Sequence, residues 1–297
     1  MPYKLILYVN YIIIRKDIKR KIGIKMKRIE KNIILEDFPC LDLKTTLFCG
    51  QAFRWKEKEN GTYHAVVENK ILDAEQKDNL IIFRNVKDKE TENLIEKYFD
   101  LKRDYQKICE GLSKDESFRR AYNEYNGIRI LRQDSWEALC SFIISQNNNI
   151  PRITGIIDRF CKEFGEKLND EDYTFPNFEK LKGIKPEDLA PLRAGFRAKY
   201  IADAVEKLNS GELSITEIEK MDIEKARQEL CKIKGVGAKV AECTLLYGFG
   251  RMEAFPVDVW VKRIMVEMYP EGLPEFFKGN EGIAQQYLFH WRRQQKE

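Results

Sequence analysis

The spacing of apolar and polar positions changes once along the chain, near residue 90. Before that point, three short stretches rich in β-forming side chains predict strands: LDLKTTL (41–47), TYHAVVE (62–68) and NLIIF (79–83). Asn60-Gly61, just before the second stretch, is a typical hairpin turn. This part of the chain is therefore predicted to form an antiparallel sheet.

From Thr91 onward, apolar residues recur at the spacing of a helix. The first helical face collects four of them, Leu94, Ile95, Tyr98 and Phe99. The same period continues nearly to the C-terminus, and we find no internal repeat or low-complexity tract. The predicted fold is α+β, with an antiparallel sheet domain and flanking helices at 30–125 and an all-α domain at 126–297.

Two of the later helices have clear start signals. Asn149 followed by Pro151 is typical of an N-cap with proline in the first turn, so the run QNNN (146–149) should form a tight loop between helices. Asp258 comes directly before the apolar segment VWVKRIMVEMY and is predicted to lie at or beside the cap of that helix.

The first 25 residues join an apolar run to a basic one. A spanning helix needs about 20 apolar residues, and a secretory signal carries its charges before the apolar stretch, so neither pattern fits. We expect residues 1–29 to be a disordered extension and treat Met26 as a candidate start. A helix lying on a membrane surface is the alternative, because basic residues beside an apolar strip favour acidic lipid.

Composition changes this picture only slightly. Lys and Arg total 52 against 48 Asp and Glu, and this small positive balance fits a polyanionic ligand only if the charge is concentrated on one face. The seven cysteines include no C-x-x-C pair, which argues against a disulfide framework, a zinc site or an iron–sulfur cluster. We therefore expect a protein of the reducing cytosol without metal or cofactor.

The most informative stretch runs from Leu230 to Ile264. Gly235-Val236-Gly237 separates two predicted helices, and its glycines allow a sharp turn that leaves the first N–H groups of the second helix uncovered. Such a corner can hold a DNA phosphate. Taken alone, such a corner is more often only an ordinary helical hairpin.

Lys239 makes the hairpin a candidate catalytic element. It falls in the first turn of the second helix, where the dipole and partial burial both favour the uncharged amine, the nucleophile needed at a sugar C1′. Cys243 lies one turn further on the same face. Asp258 is the candidate carboxylate that would stabilise positive charge on the sugar and move protons, although by itself an aspartate there is more often only a cap.

This combination of hairpin, lysine and Pro-Val-Asp resembles the helix-hairpin-helix-GPD glycosylases, particularly the 8-oxoguanine branch, over roughly residues 30 to 297. The resemblance implies a DNA repair enzyme that flips 8-oxoguanine out of the duplex. Lys239 would break the N-glycosidic bond through a Schiff base, with Asp258 as the family's aspartate, and β-elimination would then nick the strand. The partner would be double-stranded DNA, and the protein would act as a monomer. Its location would be the cytoplasm, with association to the nucleoid if the cell is prokaryotic.

The resemblance also implies a base pocket. DLKTTLFCGQAFRW (42–55) is similar to the family segment whose glycine carbonyl, here that of Gly50, accepts a hydrogen bond from N7–H of the oxidised base. In IAQQYLFHW (283–291), Gln285 would bind the Watson–Crick edge, and Phe289 would stack on the base opposite Cys243. Without the resemblance, Gly50 reads as a strand bulge and Phe289 as a core residue.

A further set of residues is implied for the opposite strand. In SQNNNIPR (145–152), Asn147 and Arg152 would contact the orphaned cytosine, and in AGFRAKY (194–200), Phe196 would act as a wedge and Arg197 as a second cytosine reader. The chain departs from the family pattern in two places. Phe196 stands where relatives often carry Tyr, and Trp260 stands where they commonly carry a phosphate-binding His.

Two other classes remain as alternatives. Related iron–sulfur glycosylases carry four cysteines near the C-terminus, whereas this chain has none after Cys243, and alkylpurine glycosylases usually lack the lysine. Lys239 therefore favours a bifunctional glycosylase and lyase, for 8-oxoguanine or for another damaged base. A noncatalytic protein that uses the hairpin only to hold DNA backbone is the second alternative.

Overall fold

The computed structural model describes residues 26–295. The extension predicted for the N-terminus lies outside the described residues, except at its end, where Met26–Ile29 form strand β1 by pairing with the next strand.

The strands form one six-stranded antiparallel sheet in the order β1-β2-β6-β5-β4-β3. Its other members are β2 (Asn32–Glu36), β3 (Lys56–Glu57), β4 (Tyr63–Val67), β5 (Lys70–Lys77) and β6 (Leu80–Arg84). β4 and β6 confirm two of the predicted strands. The predicted turn at Asn60-Gly61 lies between β3 and β4, where Gly61 has a φ of +78°.

The third predicted strand, at 41–47, is wrong. Leu43–Phe48 form helix α1, because the carboxylate of Asp42 accepts a hydrogen bond from the backbone N–H of Thr45 at 2.7 Å and so starts a helix. The alternation that resembles a strand also places Leu43 and Leu47 one helical turn apart, and both are buried.

The other α-helices of the described chain are joined by loops and short 3-10 turns. They are α2 (Lys89–Tyr98), α3 (Tyr105–Leu112), α4 (Glu116–Glu124), α5 (Ser135–Ser145), α6 (Ile150–Phe164), α7 (Ala198–Ser210), α8 (Ile215–Lys220), α9 (Ile223–Cys231), α10 (Ala238–Tyr247), α11 (Val259–Met268) and α12 (Glu281–Gln294). This arrangement confirms the predicted fold class.

Both predicted helix starts are confirmed. The side chain of Asn149 accepts a hydrogen bond from Arg152 N at 3.0 Å and caps α6, and Asp258 caps α11. Helix α2 also matches its predicted face, since its apolar side chains pack beneath the sheet. A separate, larger core lies among α3 to α12. The sheet and the helices therefore have distinct cores that meet along α1 and the segment before α5.

Candidate active site

The predicted hairpin joins α9 to α10. Gly235 has a φ of +79°, and a Cβ at this position would come within 2.4 Å of the Tyr200 ring, so both the conformation and the close packing require glycine. Asp203 on α7 fastens the turn by accepting a hydrogen bond from Lys234 N at 2.7 Å. Among the described residues no side chain caps α10, which leaves its first N–H groups available to an anion.

Lys239 is half-buried in the first turn of α10. Its Nζ lies 3.4 Å from Oγ of Ser145 and 5.1 Å from the centroid of the Phe142 ring, both on α5. The Ser145 hydroxyl donates its own proton to the Phe142 carbonyl at 2.8 Å, so its lone pairs are left for the lysine. These contacts orient the amine without adding a negative charge.

Asp258 lies near the same place. Its carboxylate accepts hydrogen bonds from the backbone N–H groups of Trp260 and Val261, each at 2.9 Å. Burial raises the pKa of the Cys243 thiol to about 11; the positive charge of Lys239 opposes that rise, and the negative charge of Asp258 adds to it. Both charged groups therefore lie near enough to this buried thiol to shift its pKa in opposite directions.

Gly50 and Phe289 lie against each other and form a wall of the candidate site, called the glycine wall below. Gly50 has a φ of +94°, and a Cβ there would lie 3.8 Å from Cε1 of Phe289 and 3.4 Å from Nη1 of Arg293. The guanidinium carbon of Arg293 lies 5.9 Å from the centroid of the Phe289 ring. The structure thus brings Gly50 and Phe289 together across almost the whole length of the chain.

Tyr247 connects the lysine side to the glycine wall. Its ring stacks on Phe142, with centroids 5.2 Å apart and planes 20° apart, and its hydroxyl donates to Oε1 of Gln286. Nε2 of Gln286 then donates to the carbonyl of Cys49 at 3.4 Å, one residue before Gly50. A continuous set of contacts therefore runs from beneath Lys239 to the peptide that precedes Gly50.

Gln285 is 5% exposed and lies one turn before Phe289 on α12. Within residues 26–295, its Oε1 atom has no hydrogen-bond partner. An unpaired buried amide oxygen costs about 1–3 kcal/mol. Such a group gains from any ligand or water that brings a donor to it.

The loop between α5 and α6 holds Asn147, which is exposed and has a φ of +46°. Arg197 lies beneath this loop and is only 2% exposed. Its guanidinium donates to the carbonyls of Gln146, Asn147 and Ala194, the last two at 2.9 and 3.1 Å. Arg197 therefore fixes the shape of the loop in this structure.

Phe196 and Arg152 lie beside that loop. Phe196 is 47% exposed, and the Arg197 guanidinium carbon lies 4.4 Å from the centroid of its ring. Arg152 is exposed on the first turn of α6, and its charge, together with the larger effect of burial, lowers the pKa of Arg197. Asn147, Arg152, Phe196 and Arg197 thus form one cluster.

Five residues of the site carry no signal that we interpreted from sequence: Phe142, Ser145, Tyr247, Gln286 and Arg293. Only Arg293 could have been found, because it follows Phe289 by four positions and so shares its helical face. The others act through contacts between distant parts of the chain, which no local spacing reveals.

Within the described part of the chain, no group of three or more His, Cys, Asp or Glu side chains could hold a metal ion. None of the helices in residues 26–295 is long and apolar enough to cross a bilayer.

Comparison with known proteins places these features in context. Residues 33–139 match the family model "8-oxoguanine DNA glycosylase, N-terminal domain", and residues 140–271 match "HhH-GPD superfamily base excision DNA repair protein". The chain is 30% identical to N-glycosylase/DNA lyase OGG1 of Arabidopsis thaliana and 32% identical to N-glycosylase/DNA lyase of Saccharomyces cerevisiae. These alignments cover 75% and 77% of this chain, and 65% and 68% of those proteins.

A solved structure shares the whole architecture. It is the Clostridium acetobutylicum 8-oxoguanine glycosylase/lyase in complex with double-stranded DNA containing cytosine opposite 8-oxoG. The two chains are 36% identical and superpose with a TM-score of 0.84, over 90% of this chain and 97% of that one.

Proposed function

Since the chain belongs to the family of 8-oxoguanine DNA glycosylases with an HhH-GPD domain, we propose that it is a bifunctional base excision repair enzyme that removes 8-oxoguanine from DNA and then nicks the strand. The observation that carries the proposal is that Lys239 and Asp258 both lie near the buried Cys243, and that Tyr247 and Gln286 connect this group to the pair Gly50 and Phe289. That arrangement supplies a nucleophile, a carboxylate and an aromatic ring on which a base can stack.

The chemistry starts with attack of the Lys239 amine on C1′ of the damaged nucleoside. The glycosidic C1′–N9 bond breaks, its electron pair leaves with the base, and the base takes up a proton. Asp258 stabilises the positive charge that develops on the sugar. Loss of the amine proton and opening of the sugar ring give an imine, which permits removal of a 2′ proton and departure of the 3′ phosphate. Water then hydrolyses the imine and regenerates Lys239.

The pocket distinguishes the oxidised base from guanine by hydrogen bonding. Guanine has an acceptor at N7, whereas 8-oxoguanine carries a proton there, so the carbonyl of Gly50 can accept a hydrogen bond only from the damaged base. Gln285 binds the Watson–Crick edge, where an N–H group of the base donates a hydrogen bond to its otherwise unpaired Oε1. Phe289 stacks on one face of the base, and Cys243 lies against the other.

Extrusion of the base costs a few kcal/mol, which contacts to the remaining DNA must offset. Phe196 is exposed, and its ring centroid lies 5.7 Å from that of Tyr200, which supports it from the side. An exposed, supported aromatic ring suits a wedge between bases. Asn147 and Arg152 contact the orphaned cytosine. Loop and turn carbonyls engage four of the five N–H groups of Arg197, so we assign it a smaller share of that contact.

The two departures from the family pattern refine the proposal. Phe196 has no hydroxyl, so we expect a looser preference for cytosine opposite the lesion. Trp260 lies beside the Asp258 cap with the Arg263 guanidinium 5.1 Å from its ring centroid, and it can offer a phosphate one N–H but no charge. We further propose that the enzyme acts as a monomer in the cytoplasm, and that it is associated with the nucleoid if the cell is prokaryotic.

Borohydride trapping tests the proposal, because reduction of the imine links enzyme covalently to DNA. We expect the wild-type protein to cross-link to a duplex containing 8-oxoguanine opposite cytosine, and Lys239→Gln to lose cross-linking and strand nicking together. The matched control is Lys232→Gln, which removes an exposed lysine of the same hairpin that pairs with Glu229 at 2.7 Å. Nicking that persists in Lys239→Gln would reject the assignment of this lysine, and trapping only on duplexes with another damaged base would reject the substrate.

A further inference from the structure

The chain contains a second turn with the pattern of the hairpin turn. Leu181-Lys182-Gly183-Ile184 matches Ile233-Lys234-Gly235-Val236 position by position. Gly183 has a φ of +81° and Gly235 one of +79°. In both turns, the residue after glycine donates its N–H to the carbonyl three residues earlier, at 2.9 Å in each case. The two turns therefore share the left-handed glycine and the hydrogen bond that closes the turn.

Both turns line one surface groove of about 650 Å³, with α7 as its floor. Four lysines border it, Lys182, Lys185, Lys199 and Lys234, against the two carboxylates Asp203 and Glu206. One oxygen of Asp203 accepts from Lys234 N and the other lies 3.9 Å from Nζ of Lys207, so this acid is already engaged. All four lysines are exposed, and the groove carries an excess of positive charge.

The second turn differs from the hairpin in what it offers to a ligand. Asp188 accepts a hydrogen bond from Lys185 N at 2.8 Å, so the backbone N–H after the second turn is occupied. In the hairpin, by contrast, no side chain among the described residues caps α10. The second turn can therefore contribute lysine side chains, but it cannot repeat the backbone phosphate contact that we propose for the hairpin.

The groove is continuous with the surface that we propose for DNA. Tyr200 packs against Gly235 of the hairpin and contacts the exposed Phe196 ring edge to face. Nζ of Lys199, which borders the groove, lies 5.5 Å from the centroid of the same Tyr200 ring. One lysine of the groove therefore lies beside the proposed wedge and the hairpin, and Lys182 and Lys185 border the same groove.

We propose that this groove is a second DNA-backbone surface, in which Lys182 and Lys185 hold phosphates of the duplex that flanks the lesion. The inference rests on the proposed function, and it adds a longer footprint on DNA to that function. Its chemistry is nonspecific, because lysines neutralise phosphates as point charges and read no bases. Base removal at saturating DNA should not depend on it.

The test is the double substitution Lys182→Gln with Lys185→Gln, made in the Lys239→Gln background so that DNA stays intact. We expect the affinity for a duplex of about three helical turns to fall about fivefold or more, and the dependence of log K on log salt to become shallower by about 1 to 2. A duplex of about one turn should show a much smaller change. The matched control is Lys107→Gln with Lys114→Gln, two exposed lysines at either end of α3.

The outcomes separate the two proposals. With Lys239 present, the Lys182 and Lys185 variant should retain the wild-type trapping rate at saturating DNA. If the affinity and salt dependence of the triple variant match those of Lys239→Gln while the wild-type protein traps DNA, the groove does not bind DNA and the proposed function stands. If the wild-type protein traps no damaged duplex, the proposed function fails instead. An equal loss of DNA affinity in the Lys107 and Lys114 control would show a general effect of charge. That result would also overturn the proposal that the groove binds DNA.

Discussion

Tyr247 and Gln286 determine how firmly the peptide before Gly50 is held. The tyrosine hydroxyl donates to Gln286, whose amide donates in turn to the Cys49 carbonyl. Tyr247 is fully within the core, where burial raises its pKa well above the ordinary value, so the phenol keeps its proton at physiological pH and remains a donor. The peptide before Gly50, which we propose lines the base pocket, is therefore fixed by two side chains to which we assign no contact with the base.

We expect Tyr247→Phe to weaken recognition of the base and to leave the sugar chemistry intact. Loss of one hydrogen bond of about 0.5–1.5 kcal/mol should lower kcat/KM for 8-oxoguanine about two- to tenfold. Nicking of a duplex that already contains an abasic site should continue at the wild-type rate, because no base is bound there. Parallel kinetics on the two duplexes check this, and an equal fall on both would indicate a displaced Lys239.

The loop between α5 and α6 illustrates how one short element is held from several sides. Asn149 caps the following helix, Asn148 donates to the Ile144 carbonyl at 3.0 Å, and Arg197 holds the loop from beneath. The Asn147 side chain is exposed, and its backbone has the left-handed conformation. The loop geometry is thus independent of the side chain that we assign to the opposite strand.

This independence predicts the result of Asn147→Gly. Glycine accepts the left-handed conformation, so the free energy of unfolding should change by less than about 1 kcal/mol. Excision of 8-oxoguanine opposite cytosine should slow because the side-chain contact is lost. Urea denaturation and single-turnover excision measure the two effects. As a contrast, Arg197→Met should lower stability by about 2–3 kcal/mol, because it leaves the buried Ala194 carbonyl and the partly buried Gln146 and Asn147 carbonyls without this donor.

Helix α12 carries a buried histidine whose titration affects stability. Burial, and to a lesser extent the nearby charge of Arg293, lowers the pKa of His290 from 6.5 to about 4. In the unfolded chain the His290 imidazole binds a proton near pH 6.5, whereas in the folded chain it binds one only near pH 4. The free energy of unfolding therefore falls as the pH drops from 6.5 to 4.

Replacing this histidine should reduce the acid sensitivity. We expect the wild type to lose about 1–2 kcal/mol more than His290→Phe between neutral pH and pH 5. Urea unfolding at both pH values provides the measurement. The other histidine, His64, is present in both proteins and cancels in the comparison. Identical losses in the two proteins would contradict the proposed cause.

The sheet and the helical part are joined by buried hydrogen bonds around Gln51. Its amide donates to the Arg129 carbonyl at 2.7 Å and accepts from Leu131 N at 2.8 Å, while its own carbonyl accepts from Gln133 at 2.7 Å. Arg129 is also buried and donates to the carbonyls of Cys40 and Asp100. Because Gly50 immediately precedes Gln51, this junction positions Gly50, the residue that we propose reads the base, relative to the helical part.

Gln51→Leu tests the junction as a whole. The variant keeps the volume of the side chain but leaves at least two buried backbone groups unpaired, so the free energy of unfolding should fall by about 2–4 kcal/mol. Leu72→Ile, an apolar exchange within the sheet core, is a matched control and should cost less than about 1.5 kcal/mol. Equal stability of Gln51→Leu and the wild type would show that the network contributes little.

The amino-acid pattern alone was enough to predict the order of sheet and helices, the caps at Asn149 and Asp258, and the hairpin before Lys239. These features depend on neighbours within about five positions, such as a capping carboxylate or a glycine with positive φ, so local sequence determines them. The strand predicted at 41–47 failed for the same reason, because a seven-residue alternation is compatible with a helix once Asp42 caps it.

Other features depended on the packing of distant segments. Ser145 meets Lys239 across 94 positions and Gln286 meets Cys49 across 237, so their contacts depend on how α5, α10 and α12 pack. The four-residue match between the two lysine-glycine turns was too short to stand out, and it gained meaning only when both turns were found to line one groove. Local hydrogen bonds and side-chain volumes are encoded in short stretches of sequence, whereas the pairing of buried polar groups from different elements is decided only when the cores close and exclude water.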